Sequence, residues 1–95
     1  MREIRHERRG KKGMFIAEEN GVKIGELDYH DSAPGEITIY HTEVDEKFRG
    51  GGIGSDLVEA VVKHARHDKL RIIPKCAYAA SVINDTPDFQ DVLIT

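Results

Sequence analysis

Arg49-Gly50-Gly51-Gly52-Ile53-Gly54 places four glycines within five positions, after a strand-like run ending at Val44 and before a helix-like run from Ser55 to His67. A connector between a strand and a helix usually needs a single glycine. Further glycines let the backbone approach a ligand and turn its N–H groups outward. The first N–H groups of a helix have no partner inside it, and the helix dipole favours an anion there. The segment therefore commits the chain to a strand–loop–helix unit with a phosphate cradle at the bend.

The spacing separates three kinds of glycine loop. A P-loop needs a lysine after its last glycine, and Ser55 stands there instead. The dinucleotide fingerprint Gly-x-Gly-x-x-Gly would need a third glycine at Ser55 or Leu57, depending on where counting starts. The pattern that fits is Arg/Gln-x-x-Gly-x-Gly/Ala, met by Arg49, Gly52 and Gly54, with Val44 five residues upstream.

The 95 residues make one domain, with a single modest core. Net charge is −3, so bulk electrostatics do not favour nucleic acid. The first dozen residues are nevertheless basic, with Arg2, Arg5, Arg8, Arg9, Lys11 and Lys12. They read as an edge strand guarded by charge, or as a basic lip for a phosphorylated ligand. The lone cysteine, Cys76, excludes an internal disulfide and points to a reducing compartment. With no apolar run of membrane-spanning length and no leader-like N-terminus, the expectation is a cytoplasmic protein without a membrane partner. His, Cys and carboxylates do not recur at metal-ligand spacings.

Residues 2–9 read as an edge strand, and Gly10 to Gly13 as a turn. Met14–Glu18 and Val22–His30 form a hairpin around Asn20-Gly21, with a bulge near Gly25, where the apolar phase changes. After a turn at Ser32–Gly35, strand Glu36–Val44 puts Ile37, Ile39 and His41 on one face and Thr38, Tyr40 and Thr42 on the other. In the helix, Ile53, Leu57, Val61 and Ala65, flanked by Val58 and Val62, form one apolar stripe. Leu70–Lys75 is a strand parallel to Glu36–Val44, because strand, helix, strand makes a crossover. Ala77–Ile83 is a second helix, stopped at Asp85-Thr86-Pro87. Phe89–Ile94 is expected as an extended cover.

The order β-β-β-β-α-β-α and the glycine loop together resemble the GNAT acetyltransferase superfamily over nearly the whole chain, in a minimal single-domain form. The resemblance implies a mixed α+β fold, a twisted sheet splayed between two parallel strands. It implies acetyl-CoA as cofactor, its pyrophosphate held at Arg49, Gly50, Gly51, Gly52, Ile53, Gly54 and Ser55, and its pantetheine arm against the strand ending at Val44. Typical members carry helices between the first two strands and further strands after the last helix. Those parts usually build the acceptor pocket, so the resemblance speaks to the cofactor half of the site.

Acetyl transfer needs a polarised thioester carbonyl, an amine that loses a proton and a CoA thiolate that gains one. Cys76, at the end of a parallel strand and the start of a helix, could take the acetyl group or donate a proton; it could also be an inert packed cysteine. His41, three residues before Val44, could act as base or sit as a core histidine. Tyr78 falls near the last helix, where many members of that superfamily keep an acid, but core packing also explains it. His6, His30, His64 and His67 read as ordinary exposed residues. Three functions stay open: an N-acetyltransferase acting on an amine, of a protein, peptide or small molecule; a CoA-binding module without turnover; and an adaptor that binds through residues 2–12.

Overall fold

The computed structural model describes residues 2–94. Five strands, β1 (Arg2–Arg9), β2 (Lys12–Glu19), β3 (Val22–Ala33), β4 (Glu36–Val44) and β5 (Arg71–Pro74), form one sheet in chain order. The first four pair antiparallel, and β4 pairs parallel with β5. Helix α1 (Ile53–His67) makes the crossover, and helix α2 (Ala77–Asp85) follows β5. This is the mixed α+β order expected from the sequence.

The hairpin signals act as their chemistry predicts. Asn20 (φ 50°) and Gly21 (φ 83°) both adopt the left-handed backbone that a two-residue hairpin turn requires. The β2–β3 register slips between Ala17 and Glu18, opposite Gly25 and Lys23, which is the bulge expected near Gly25. The first turn is tighter than expected. Only Gly10 and Lys11 make it, and Gly13 is a strand residue, kept a glycine because the Tyr29 ring lies 2.2 Å from where a Cβ there would go.

Apolar periodicity settles how α1 docks. Ile53, Leu57, Val58, Val61, Val62 and Ala65 are all buried, against Phe15 and Ala17 of β2, Leu27 and Tyr29 of β3, and Ile37 and Ile39 of β4. Each such aliphatic side chain contributes roughly 1.5–3 kcal/mol by leaving water. Ala79 and Ile83 bring α2 into the same core. The side chains that alternate with these strand residues, among them Arg5, Glu18, Glu26, Asp28 and Glu43, occupy the opposite face of the sheet.

The tail departs from the expected extended cover. Pro87–Val92 winds into a 3₁₀ helix, and only then does Leu93 bridge to Ile72 beyond the β5 edge. Pro87 in its first turn has no N–H to leave unsatisfied, and Val92 is buried. His6 and His67 are exposed as expected, whereas His30 and His64 are half-buried, and His6 is held by ring contacts. His6 stacks on Phe15, its ring centroid 4.2 Å away, and meets His64 edge-on at 4.6 Å, beside Tyr29. Among the described residues no helix is long and apolar enough to cross a membrane.

Candidate functional site

The parallel ladder between β4 and β5 is short. It runs from Glu36–Arg71 to Ile39–Pro74. Pro74 has no N–H to continue it, and the amides of Lys75 and Cys76 both turn back to the Ile39 carbonyl, at 2.9 and 3.1 Å. Among the described residues no strand pairs with β4 on that side beyond Ile39, so the edge from Tyr40 to Val44 is open apart from the Cys76 thiol at Thr42. This is the expected splay. A cleft of about 770 Å³ opens there, bordered by Thr42, Val44, Phe48, Arg49, the glycine loop and Tyr78.

The loop is built residue by residue. Asp45 accepts from the Lys47 amide at 2.9 Å and caps a 3₁₀ turn, Glu46–Phe48. Gly50 (φ 84°) and Gly52 (φ 83°) are left-handed, a backbone that costs other residues about 1–2 kcal/mol each. Gly52 is the N-cap of α1 and offers no side-chain cap, so the first N–H groups of α1 lack that partner. Gly54 serves a different purpose. A Cβ there would lie 2.3 Å from the Tyr78 hydroxyl, so glycine lets the Tyr78 ring close against α1. Gly50, Gly52, Ile53, Gly54 and Ser55 border the cleft.

Cys76 is the N-cap of α2, half-buried, and its Sγ lies 3.5 Å from Thr42 Oγ1. Burial works against ionising this thiol. The Thr42 hydroxyl and the backbone amides of Ala79, Tyr78 and Thr42 outweigh that, and hold its pKa below that of a free cysteine. The sequence thus put the thiol at the right junction, while its partner Thr42 went unseen.

A second bulge explains both Thr42 and His41. Tyr29 pairs with Ile39 but Asp28 pairs with His41, so Tyr40 is an extra residue in β4. Beyond it the side-chain phase inverts. Thr42, opposite buried Leu27, turns to the helix side and to Cys76. His41, expected on the core face with Ile37 and Ile39, joins Asp28 on the other face, half-exposed and 3.6 Å from the Glu43 carboxylate. It stays at the rim of the cleft. Behind it, burial and the neighbouring Glu26 push the Asp28 carboxyl up to about 6. Tyr78 is 45% exposed and lines the cleft, so core packing is not its role.

A family model described as GCN5-related N-acetyl-transferase matches residues 14–92. The NMR structure of a Staphylococcus aureus protein described as GCN5-like is 34% identical, with a TM-score of 0.72, and the match covers 97% of this chain and 87% of that one. A ribosomal-protein-alanine N-acetyltransferase from Brucella melitensis biovar Abortus 2308 is 15% identical at a TM-score of 0.68, over 79% of this chain and 60% of that one. A GNAT family acetyltransferase from Elizabethkingia anophelis, solved with acetyl-CoA bound, is 23% identical at a TM-score of 0.62, over 68% and 43%. The last two likenesses speak to the fold alone. Among proteins of curated function none matches.

Proposed function

The chain belongs to the GCN5-related N-acetyltransferases, a family of acyltransferase enzymes, and from that premise we propose that it moves an acetyl group from acetyl-CoA to an amine through Cys76. The observation that carries this reading is the Cys76 thiol, at the N-terminus of α2, beside Thr42 on the open edge of β4. The pyrophosphate sits on the amides from Gly50 to Ser55 at the start of α1. The pantetheine arm lies along Tyr40–Val44 in place of the missing strand, which brings the thioester toward Thr42 and Cys76.

In the first half of the reaction the Cys76 thiolate attacks the thioester carbonyl carbon. A carbon–sulfur bond to Cys76 forms, the one to CoA breaks, and the CoA thiolate leaves, taking up from water the proton that the Cys76 thiol had released to it. In the second half the amine attacks acetyl-Cys76, gives its proton through water to His41 at the rim, and the Cys76 thiolate is restored. The thiol supplies a good leaving group in both halves, and its lowered pKa keeps a larger thiolate fraction near neutral pH.

The acceptor is a protein or peptide amine. The tight β1–β2 turn at Gly10-Lys11 carries no helix that would close a pocket, which suits an acceptor presented from outside. Screening acetyl-CoA consumption against lysine peptides and small amines tests both statements. The expected result is turnover with peptides, an acetylated Cys76 peptide after rapid quenching, and alkylation of Cys76 by iodoacetamide that bound CoA slows. CoA binding without any acetyl loss would instead make the chain a CoA-binding module.

A further inference from the structure

The basic N-terminal strand reaches the glycine loop through one side chain. Arg2 Nη1 donates to the Gly51 carbonyl at 3.4 Å and to Asp56 Oδ2 at 3.2 Å, while Arg2 Nε lies 3.9 Å from Glu19. Residue 2 is thus fastened to the loop and to the first turn of α1, across 49 and 54 positions of sequence.

Resting on the reading of this loop as the CoA phosphate seat, we infer that Arg2 is a positioning residue that holds the loop ready for the phosphates. Two effects combine. In a planar trans peptide the C=O of one residue and the N–H of the next point in opposite directions. A Gly51 carbonyl held toward Arg2 therefore aims the Gly52 N–H the other way. Gly52 borders the cleft, whereas Gly51 does not. The Gly51 amide bonds the Phe48 carbonyl at 3.3 Å, so Arg2 fixes the other side of a residue that, as glycine, has little backbone preference of its own. The second effect is electrostatic. Asp56 lies in the first turn of α1, where its carboxylate favours the helix but repels an incoming phosphate. The guanidinium beside it cancels that repulsion. Both partners are part-exposed, so replacing Arg2 leaves the core untouched.

The test is an NMR titration of wild type, Arg2→Gln and Arg2→Lys with two probes, CoA and pantetheine. Pantetheine carries the same arm without the pyrophosphate, and NMR reads weak binding. Arg2→Gln is expected to weaken CoA about tenfold, the effect of one charge-assisted contact, to leave pantetheine affinity unchanged, and to move the Gly52 amide signal of the free protein. Arg2→Lys, which keeps the charge but not the fork, falls between the two. Unchanged CoA affinity in Arg2→Gln, or equal weakening of both probes, overturns the inference and leaves the loop reading intact. Failure of the wild type to bind CoA removes the loop reading itself, and this inference with it.

Discussion

The sheet ends in a cavity at each side of β4, and the two are built from opposite materials. At the Val44 end, about 770 Å³ is bordered by the β4 edge at Thr42–Val44 and the uncapped amides at the start of α1, with the Cys76 thiol 3.5 Å from Thr42 but outside the lining itself. At the Glu36 end, about 610 Å³ is bordered by charged side chains that hold one another. Arg8 pairs with Asp31 at 2.7 Å, the Ser32 hydroxyl donates to Glu36 at 2.8 Å, and His64 lies 3.8 Å from Asp68. The volumes are close, so volume does not distinguish them. What differs is whether polar groups still lack partners. Backbone amides at a splayed edge have a ligand's worth of unmet hydrogen bonds, and paired side chains do not. Among the described residues, His64 Nε2 at the Glu36 end is buried without a hydrogen-bond partner.

Removing the thiol should produce the largest effect. Cys76→Ala is expected to slow acetyl transfer by about two orders of magnitude or more, with CoA affinity nearly unchanged, as steady-state rates and calorimetry would read. Cys76→Ser keeps the shape and loses the ionisation, so it should be almost as slow. Full turnover in the Ala variant would leave Cys76 a packing residue and move the chemistry to His41.

Matched glycine substitutions set the two ends directly against each other. Gly52 and Gly35 share a left-handed backbone, at φ 83° and 74°, but lie at opposite ends. Gly52→Asp adds both strain and a charge at the phosphate seat, and should lower CoA affinity by about a hundredfold. Gly35→Asp carries the same strain and should leave CoA affinity alone. Equal losses would mean that the variants act through stability, and the contrast between the ends would dissolve.

Acid should act on the Glu36 end. Burial lowers the His6 pKa, and His64 and Arg8 add repulsion; burial likewise lowers His64, with Asp68 opposing and Arg8 and His67 assisting. A histidine depressed in the folded state takes up its proton first in the unfolded chain. Its contribution to stability is present above the ordinary value of about 6.5 and is lost as pH falls below it. Asp28, raised to about 6, runs the other way, regaining stability as pH falls through that value. The Asp28→Asn variant should therefore expose the histidine slope, its thermal midpoint falling by a few degrees from about pH 7.5 to about pH 5.5. His64→Leu in that background should flatten the slope. A slope unchanged by His64→Leu would remove this cluster as its source.

The smallest effect is expected from Arg8→Gln. Its ion pair with Asp31 is open to solvent, and such pairs contribute about 1 kcal/mol or less. Unfolding should shift slightly and CoA affinity not at all. A marked loss of CoA binding would couple the two ends.

The site was legible where backbone chemistry is written locally. Four glycines around Ile53, a strand before them and a stripe of Ile53, Leu57, Val61 and Ala65 after them determine a strand–loop–helix unit, because φ preference and apolar period act over a few residues. The Asn20-Gly21 turn and the Gly25 bulge were legible for the same reason. Cys76 was placed at a strand–helix junction by the same local signals. What the sequence left open depends on pairing between segments distant in the chain. A residue's face in a strand follows period two only until a bulge inserts an extra position, and nothing in Ile39-Tyr40-His41 announces that the pairing with Asp28 and Tyr29 will slip. That slip sends His41 to the open face and Thr42 to Cys76. The stacking of His6 on Phe15 and the reach of Arg2 to Gly51 were decided in the same way, by the register of β1 on β2 and the docking of α1 across the sheet.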